Sequence, residues 1–180
     1  MSALKLRYYG DPILRRETHN IVDFDSDLDR FVEDMIETMH ENGGVGLAAP
    51  QVGDVRSVIV IDVSEEEDKE EDEEEPSEPI VMINPDIQEL YGSCVLEEGC
   101  LSIPEVRVEV ERPEEIKVKF QDKKGEKKEM QCSGLIARVV QHEIDHLRGR
   151  LMIDYISSVK RDLLKTKLQK ISRGEIPVGV

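Results

Sequence analysis

Gln141-His142-Glu143-Ile144-Asp145-His146-Leu147-Arg148-Gly149 is the stretch from which the rest of this chain is read. Two histidines four residues apart lie about one turn from each other on one helix face. Each can offer an imidazole nitrogen to a single metal ion. Glu143 points to the neighbouring face, within reach of a water held by that ion. H-E-x-x-H is the pattern of metal-assisted hydrolysis. A chance copy would be a surface helix with two solvated histidines. The surroundings speak against that: Leu135, Val139, His142 and His146 are spaced by four, three and four. They form one stripe whose first two members are apolar, so the stripe is expected to be buried, and buried polar groups need partners.

Length and charge set the frame. The 180 residues suffice for one domain with a substantial core, taken here as 1–180. No apolar run reaches the eighteen residues of a membrane-spanning helix. The N-terminal residues lack the basic start and apolar run of a secretory signal. Three cysteines, 94, 100 and 132, are an odd count and suggest no disulfide framework. A reduced, cytoplasmic setting is the expectation. The net charge is −16, and the stretch 64–79 alone contributes −10, with eleven acidic residues against Lys69. Such a run repels itself and reads as a solvated loop insertion. It lacks the glycine and alternating ligands of a calcium loop. The overall charge does not suit general nucleic-acid binding, and no specific DNA contact is expected. The opposite sign appears at 158–173, where Lys160, Arg161, Lys165, Lys167, Lys170 and Arg173 accompany Val159, Leu163, Leu164, Leu168 and Ile171 at helical spacing. This basic amphipathic helix is either docked with a solvated lysine face or attracted to a polyanion such as RNA.

The remaining pattern is α+β. Leu28, Phe31, Val32, Met35, Ile36 and Met39 predict an amphipathic helix from about Ser26, ended by Asn42-Gly43-Gly44. Val58 to Val63 shows no alternation until its end and predicts a well-buried strand. Ile80–Ile83 predicts another, and Arg107–Glu111 alternates cleanly. Ile116–Phe120 and Glu126–Gln131 flank Asp122–Gly125 as a hairpin. The H-E-x-x-H helix begins near Gly134. No crossover helices alternate with the strands, which argues against a parallel doubly wound sheet.

Gly44-Val-Gly-Leu-Ala-Ala49 matches the G-x-G-x-x-A turn of dinucleotide sites, but that turn must follow a strand and open a helix. Here it follows a helix and precedes a strand, so a nicotinamide or flavin site is discarded. What remains is a small-residue stretch through which backbone can approach something closely, followed by the amide of Gln51.

Cys100 is the candidate third ligand. It lies in Glu97-Glu98-Gly99-Cys100-Leu101-Ser102-Ile103-Pro104, and a thiolate is a strong ligand for zinc or ferrous iron. Cys94 and Cys132 lack a comparable glycine-flanked setting. His19 and His40 lie far upstream, and Asp145 points off the ligand face. A zinc protease of this motif would place a further ligand downstream, yet no histidine follows His146 and the next glutamate is Glu175.

GVGLAAPQ at 44–51, EEGCLSIP at 97–104 and QHEIDHLRG at 141–149 together resemble the three motifs of the peptide deformylases, in order. The likeness spans nearly the whole chain. It implies an α+β fold with antiparallel sheets around the metal-bearing helix. It implies removal of formate from the N-formylmethionine of new polypeptides. It implies ferrous iron held by Cys100, His142 and His146, with zinc, nickel or cobalt as substitutes. Glu143 would be the general base. The Gln51 amide and the Leu101 backbone N–H would stabilise the oxyanion. From spacing, Leu135 and Val139 would line the methionine pocket. The backbone of Gly44, Val45 and Gly46 would pair with the substrate like an added strand. A Glu98–Arg112 ion pair would brace the cysteine loop. The basic helix would dock the enzyme on the ribosome near emerging chains. Two features depart from the family pattern: the acidic 64–79 segment, and Arg138, where an apolar residue is often found. Arg138 is expected at the pocket entrance or facing solvent. Two rivals are a zinc-dependent H-E-x-x-H peptidase and a non-catalytic ribosome-associated protein. The intact Cys100, Glu143 and histidines speak against the second.

Overall fold

The computed structural model describes residues 3–63 and 78–175. The acidic-loop expectation for 64–79 therefore falls almost wholly outside the described residues. Among the described residues, three α-helices and seven strands are formed: α1 (Ser26–Glu41), β1 (Gly46–Ala48), β2 (Val58–Ile61), β3 (Ile80–Tyr91), β4 (Cys94–Cys100), β5 (Ile103–Arg112), β6 (Glu115–Gln121), β7 (Lys127–Ser133), α2 (Gly134–Leu147) and α3 (Ser158–Ser172). Strands β1-β2-β3-β6-β7 make one sheet and β4-β5 a second. Every ladder between named strands is antiparallel, in keeping with the α+β reading.

The uninterrupted apolar run of β2 has a direct physical reason, because both of its faces are covered. Val58 and Val60 pack with Leu28, Val32, Met35 and Met39 of α1. Ile59 and Ile61 pack with Ala137, Val140 and Ile144 of α2. The β1–β2 end of the sheet is thus sandwiched between two helices. Helix α1 begins where the Asp25 carboxylate accepts from the backbone N–H groups of Asp27 and Leu28, the usual N-cap arrangement. It ends at Asn42, followed by Gly43 at φ +62°. In the β6–β7 hairpin, Asp122 Oδ1 accepts from the N–H groups of Lys124 and Glu126.

Four elements differ from expectation. Strand β3 continues well past Ile83. Asn84 takes φ +53° and the register shifts between Ile83 and Asp86, a bulge that accommodates Pro85 in the strand. The Asn84 side chain bonds both backbone groups of Ile21, at 2.8 Å each. The Asn-Pro pair resembles a turn and hides the strand. Strands β1 and β4 carry too few β-branched residues for their pattern to be read. Helix α3 docks only through its second half: Leu168 and Ile171 are buried, whereas Val159 and Leu163 are 69% and 80% exposed. Its buried half joins Leu14, Leu151 and Met152 against β5. No helix among the described residues is long and apolar enough to cross a membrane.

Candidate metal centre

Helix α2 is buried from Ala137 to Leu147, between the sheet and the β4–β5 hairpin. Its first turn emerges from that sandwich, so Leu135 is 37% exposed. The expected burial of the ligand stripe fails there and holds from Val139 onward. His142, Glu143 and His146 are 8%, 4% and 0% exposed. Cys100 stands at the end of β4, in the turn where it pairs with Ile103.

The chain folds so that these distant residues meet. One ligand-type atom from each of Cys100, His142 and His146 lies within 4.8 Å of the others. Cys100 Sγ is 3.3 Å from His146 Nε2. Gln51 Nε2 donates to the same sulfur at 3.6 Å, while Gln51 Oε1 accepts from the Ala48 N–H at 2.7 Å. That second bond fixes the amide with its N–H side toward the cluster. The donor set suits a metal ion: one soft thiolate and two imidazoles on a closed triangle, the composition favoured by zinc and iron. A further observation supports the fit. Glu143 Oε2 is buried with no hydrogen-bond partner, a cost that a water beside a bound ion would relieve.

Gly46 and Gly44 explain the small-residue stretch. A Cβ at Gly46 would lie 2.6 Å from Glu143 Oε1 and 2.7 Å from Val139 Cγ1. A Cβ at Gly44 would lie 2.7 Å from Leu101 Cδ1. The close approach is thus between β1 and the residues around the cluster, with Val45 partly buried beside them.

Behind the cluster lies a buried charged network. Glu98 Oε1 accepts from Arg112 Nε and Arg138 Nη1, both at 2.6 Å. Glu98 Oε2 accepts from Arg112 Nη2 and His142 Nδ1, both at 3.0 Å. Arg112 also reaches Asp145 at 2.7 Å, and Tyr155 donates its hydroxyl to Asp145 at 2.8 Å. The Glu98–Arg112 pair is therefore present. The expectation for Arg138 is overturned: it neither faces solvent nor lines an entrance, being 7% exposed. A guanidinium that long finds three acceptors inside and is less costly there than an unpaired buried charge would be.

Electrostatics follow from this packing. Burial pushes Glu98 up, but the bonds from His142 and Arg112 outweigh it and hold the carboxyl at about 2. Burial pushes Glu143 up to about 7 against the opposing charges of His142 and Arg112. His146 is pulled well below its ordinary value, first by burial and then by the His142 charge. His142 is drawn down by burial but raised well above its ordinary value by its bonds to Cys100 and Glu98. The two carboxylates therefore differ sharply: one is fixed as an anion, the other is poised near neutrality.

Sequence reasoning missed Arg138, Asp145 and Tyr155 as parts of this network. For Arg138, the signal was its place one turn before His142.

An α+β scaffold presenting buried H-E-x-x-H residues and an upstream thiol defines a hydrolase of the metal-dependent kind. Residues 3–162 match the family model for polypeptide deformylase. The chain belongs to the peptide deformylase family and is an enzyme of that hydrolase family. It is 46% identical over 170 residues to the peptide deformylase of Thermotoga maritima, covering 94% of this chain and 96% of the relative. It is 42% identical over 173 residues to that of Nitrosococcus oceani, covering 96% and 98%. The crystal structure of a peptide deformylase from Legionella pneumophila superposes with TM-score 0.86 at 37% identity, covering 98% of this chain and 99% of the other.

Proposed function

We propose that this enzyme removes the formyl group from the N-terminal N-formylmethionine of newly made polypeptides in the cytoplasm, with ferrous iron at Cys100, His142 and His146. The observation that carries the reading is the closed Cys-His-His triangle beside a buried, partnerless carboxylate oxygen of Glu143. When bound, the ion supplies Lewis-acid polarisation and lowers the pKa of a water toward about 7. Glu143 takes the proton of the attacking water and returns one to the departing amine. Its buried carboxyl beside the cluster is placed for both duties. Gln51 Nε2 and the Leu101 N–H donate to the formyl oxygen as negative charge develops there. Val139 and the exposed apolar side chain of Leu135 receive the methionine side chain. The backbone of Gly44, Val45 and Gly46 at the outer edge of the sheet pairs with the peptide.

Formate release from a formyl-methionyl tripeptide should stop when a chelator strips the metal, and return with ferrous iron added anaerobically. Zinc, nickel or cobalt is expected to substitute with altered rates, since affinity order favours the later metals. Cleavage of an internal peptide bond without formate release would overturn the reading in favour of a zinc peptidase.

The ribosome is the proposed docking partner of α3. Lys160 and Lys167 are engaged by Glu109 and Glu105. Lys165, Lys170 and Arg173 are exposed and, among the described residues, make no ion pair. Because Leu168 and Ile171 are buried, removing the helix would damage the core. Charge reversal is the cleaner test. Lys165→Glu, Lys170→Glu and Arg173→Glu together should lower co-sedimentation with ribosomes severalfold at low salt and leave activity on a tripeptide intact. Unchanged co-sedimentation would remove the partner.

A further inference from the structure

We infer that Arg138 is a positioning residue of the metal centre: it sets the cysteine-bearing hairpin against the histidine-bearing helix and fixes which nitrogen of His142 faces the ion. The inference rests on the metal reading above and concerns how that site is held in shape.

Arg138 bonds three residues on the two strands of the hairpin. Nη1 donates to Glu98 Oε1 at 2.6 Å and to the Val110 carbonyl at 3.1 Å; Nη2 donates to the Cys94 carbonyl at 2.7 Å. Cys94 opens β4, Val110 lies on β5, and Arg138 projects from α2 one turn before His142. The planar fork thus pins both strands of the hairpin to the helix. The far end of β4 carries Cys100, so the distance between thiol and imidazoles depends on that seam.

The second effect runs through Glu98. Its two oxygens accept four bonds in all, two from Arg112, one from Arg138 and one from His142. A carboxylate has about four lone-pair sites, so the group is saturated. Glu98 Oε2 lies 3.0 Å from His142 Nδ1, so that nitrogen is engaged by the carboxylate and Nε2 is the atom left to face the ion. An orienting partner of this sort usually contributes 10–100-fold in metal affinity. Loss of Arg138 would leave Glu98 with one cation, and two buried carbonyls without this donor. Lysine cannot replace the fork, since one ammonium is a point charge and cannot span the three acceptors on the two strands.

The test uses the full chain loaded with cobalt(II), whose absorption reports thiolate and imidazole coordination. In R138M, cobalt release to excess chelator should accelerate about 10–100-fold, the absorption bands should shift, and 15N imidazole spectra of the zinc-loaded protein should show a mixed His142 tautomer. R138K should recover only a minor part of the lost retention. For the formylated peptide, kcat should fall while KM changes less than about twofold. Wild-type release kinetics and spectra in a folded R138M, or full recovery in R138K, would overturn the inference. If R138M does not fold, R138K decides alone: unchanged release overturns it, accelerated release supports it. Failure of the wild type to bind one cobalt would instead sink the metal reading itself.

Discussion

Glu143→Gln should lower kcat on a formyl-methionyl peptide by about 10²–10⁴-fold and leave one equivalent of metal in place. At the middle of that range the loss is about 4 kcal/mol of transition-state stabilisation. Glutamine keeps the shape and polarity of the side chain, so the helix and the three ligand residues stay seated. It removes only the capacity to accept and return a proton. Glu143 is 4% exposed, and its Oε2 meets no protein donor. The two neighbouring carboxylates, Glu98 and Asp145, are both committed to Arg112. Steady-state kinetics with elemental analysis of the same sample check the expectation. If metal leaves along with the activity, Glu143 belongs to the binding shell and its assignment as the base fails.

Gly46→Ala carries the second large effect. The added methyl meets Glu143 Oε1 at 2.6 Å and Val139 Cγ1 at 2.7 Å. Val139 is packed in the core between the sheet and α2, so it cannot swing aside. Overpacking of this kind costs typically about 1–3 kcal/mol. The carboxylate must then move, and displacement of a reacting group by about 1 Å can cost about 10²-fold in rate. Both changes are expected together: a lower denaturation midpoint and a hundredfold drop in kcat/KM. The neighbouring Gly44 gives the contrast. Its added methyl would meet Leu101 Cδ1, the end of a flexible side chain at the partly buried edge of the core, which can turn away. Equal damage from Gly44→Ala and Gly46→Ala would contradict this account.

Much of this architecture is legible in the chain because local physics and tertiary packing agree. Helix α1 has a periodic face and a glycine stop, and forms where the two place it. Strand β2 lacks alternation because it lies between two helices. The H-E-x-x-H spacing puts both histidines on one face, and a thiol in a glycine-flanked setting points to Cys100. The misses also have causes. Pro85 and Asn84 look like a break in β3 because a bulge violates simple strand chemistry. Leu135 looks buried because periodicity reports a helix face but not where the helix leaves its neighbours. Arg138 looks solvent-facing because charge is normally excluded from interiors. Its acceptors lie 28 to 44 residues away in the chain, and no local pattern announces them.

The buried set of Glu98, Asp145, Arg112 and Arg138 has a consequence for heat. Two anions and two cations balance within it, so its chief cost is lost hydration. That cost shrinks as temperature rises, because hydration of charged groups weakens on warming, while the gain from apolar burial levels off. The scaffold around the reactive centre should therefore tighten relative to the aliphatic layers as the solution warms. Fraying would start elsewhere, at the half-docked end of α3, where Val159 and Leu163 stand in solvent.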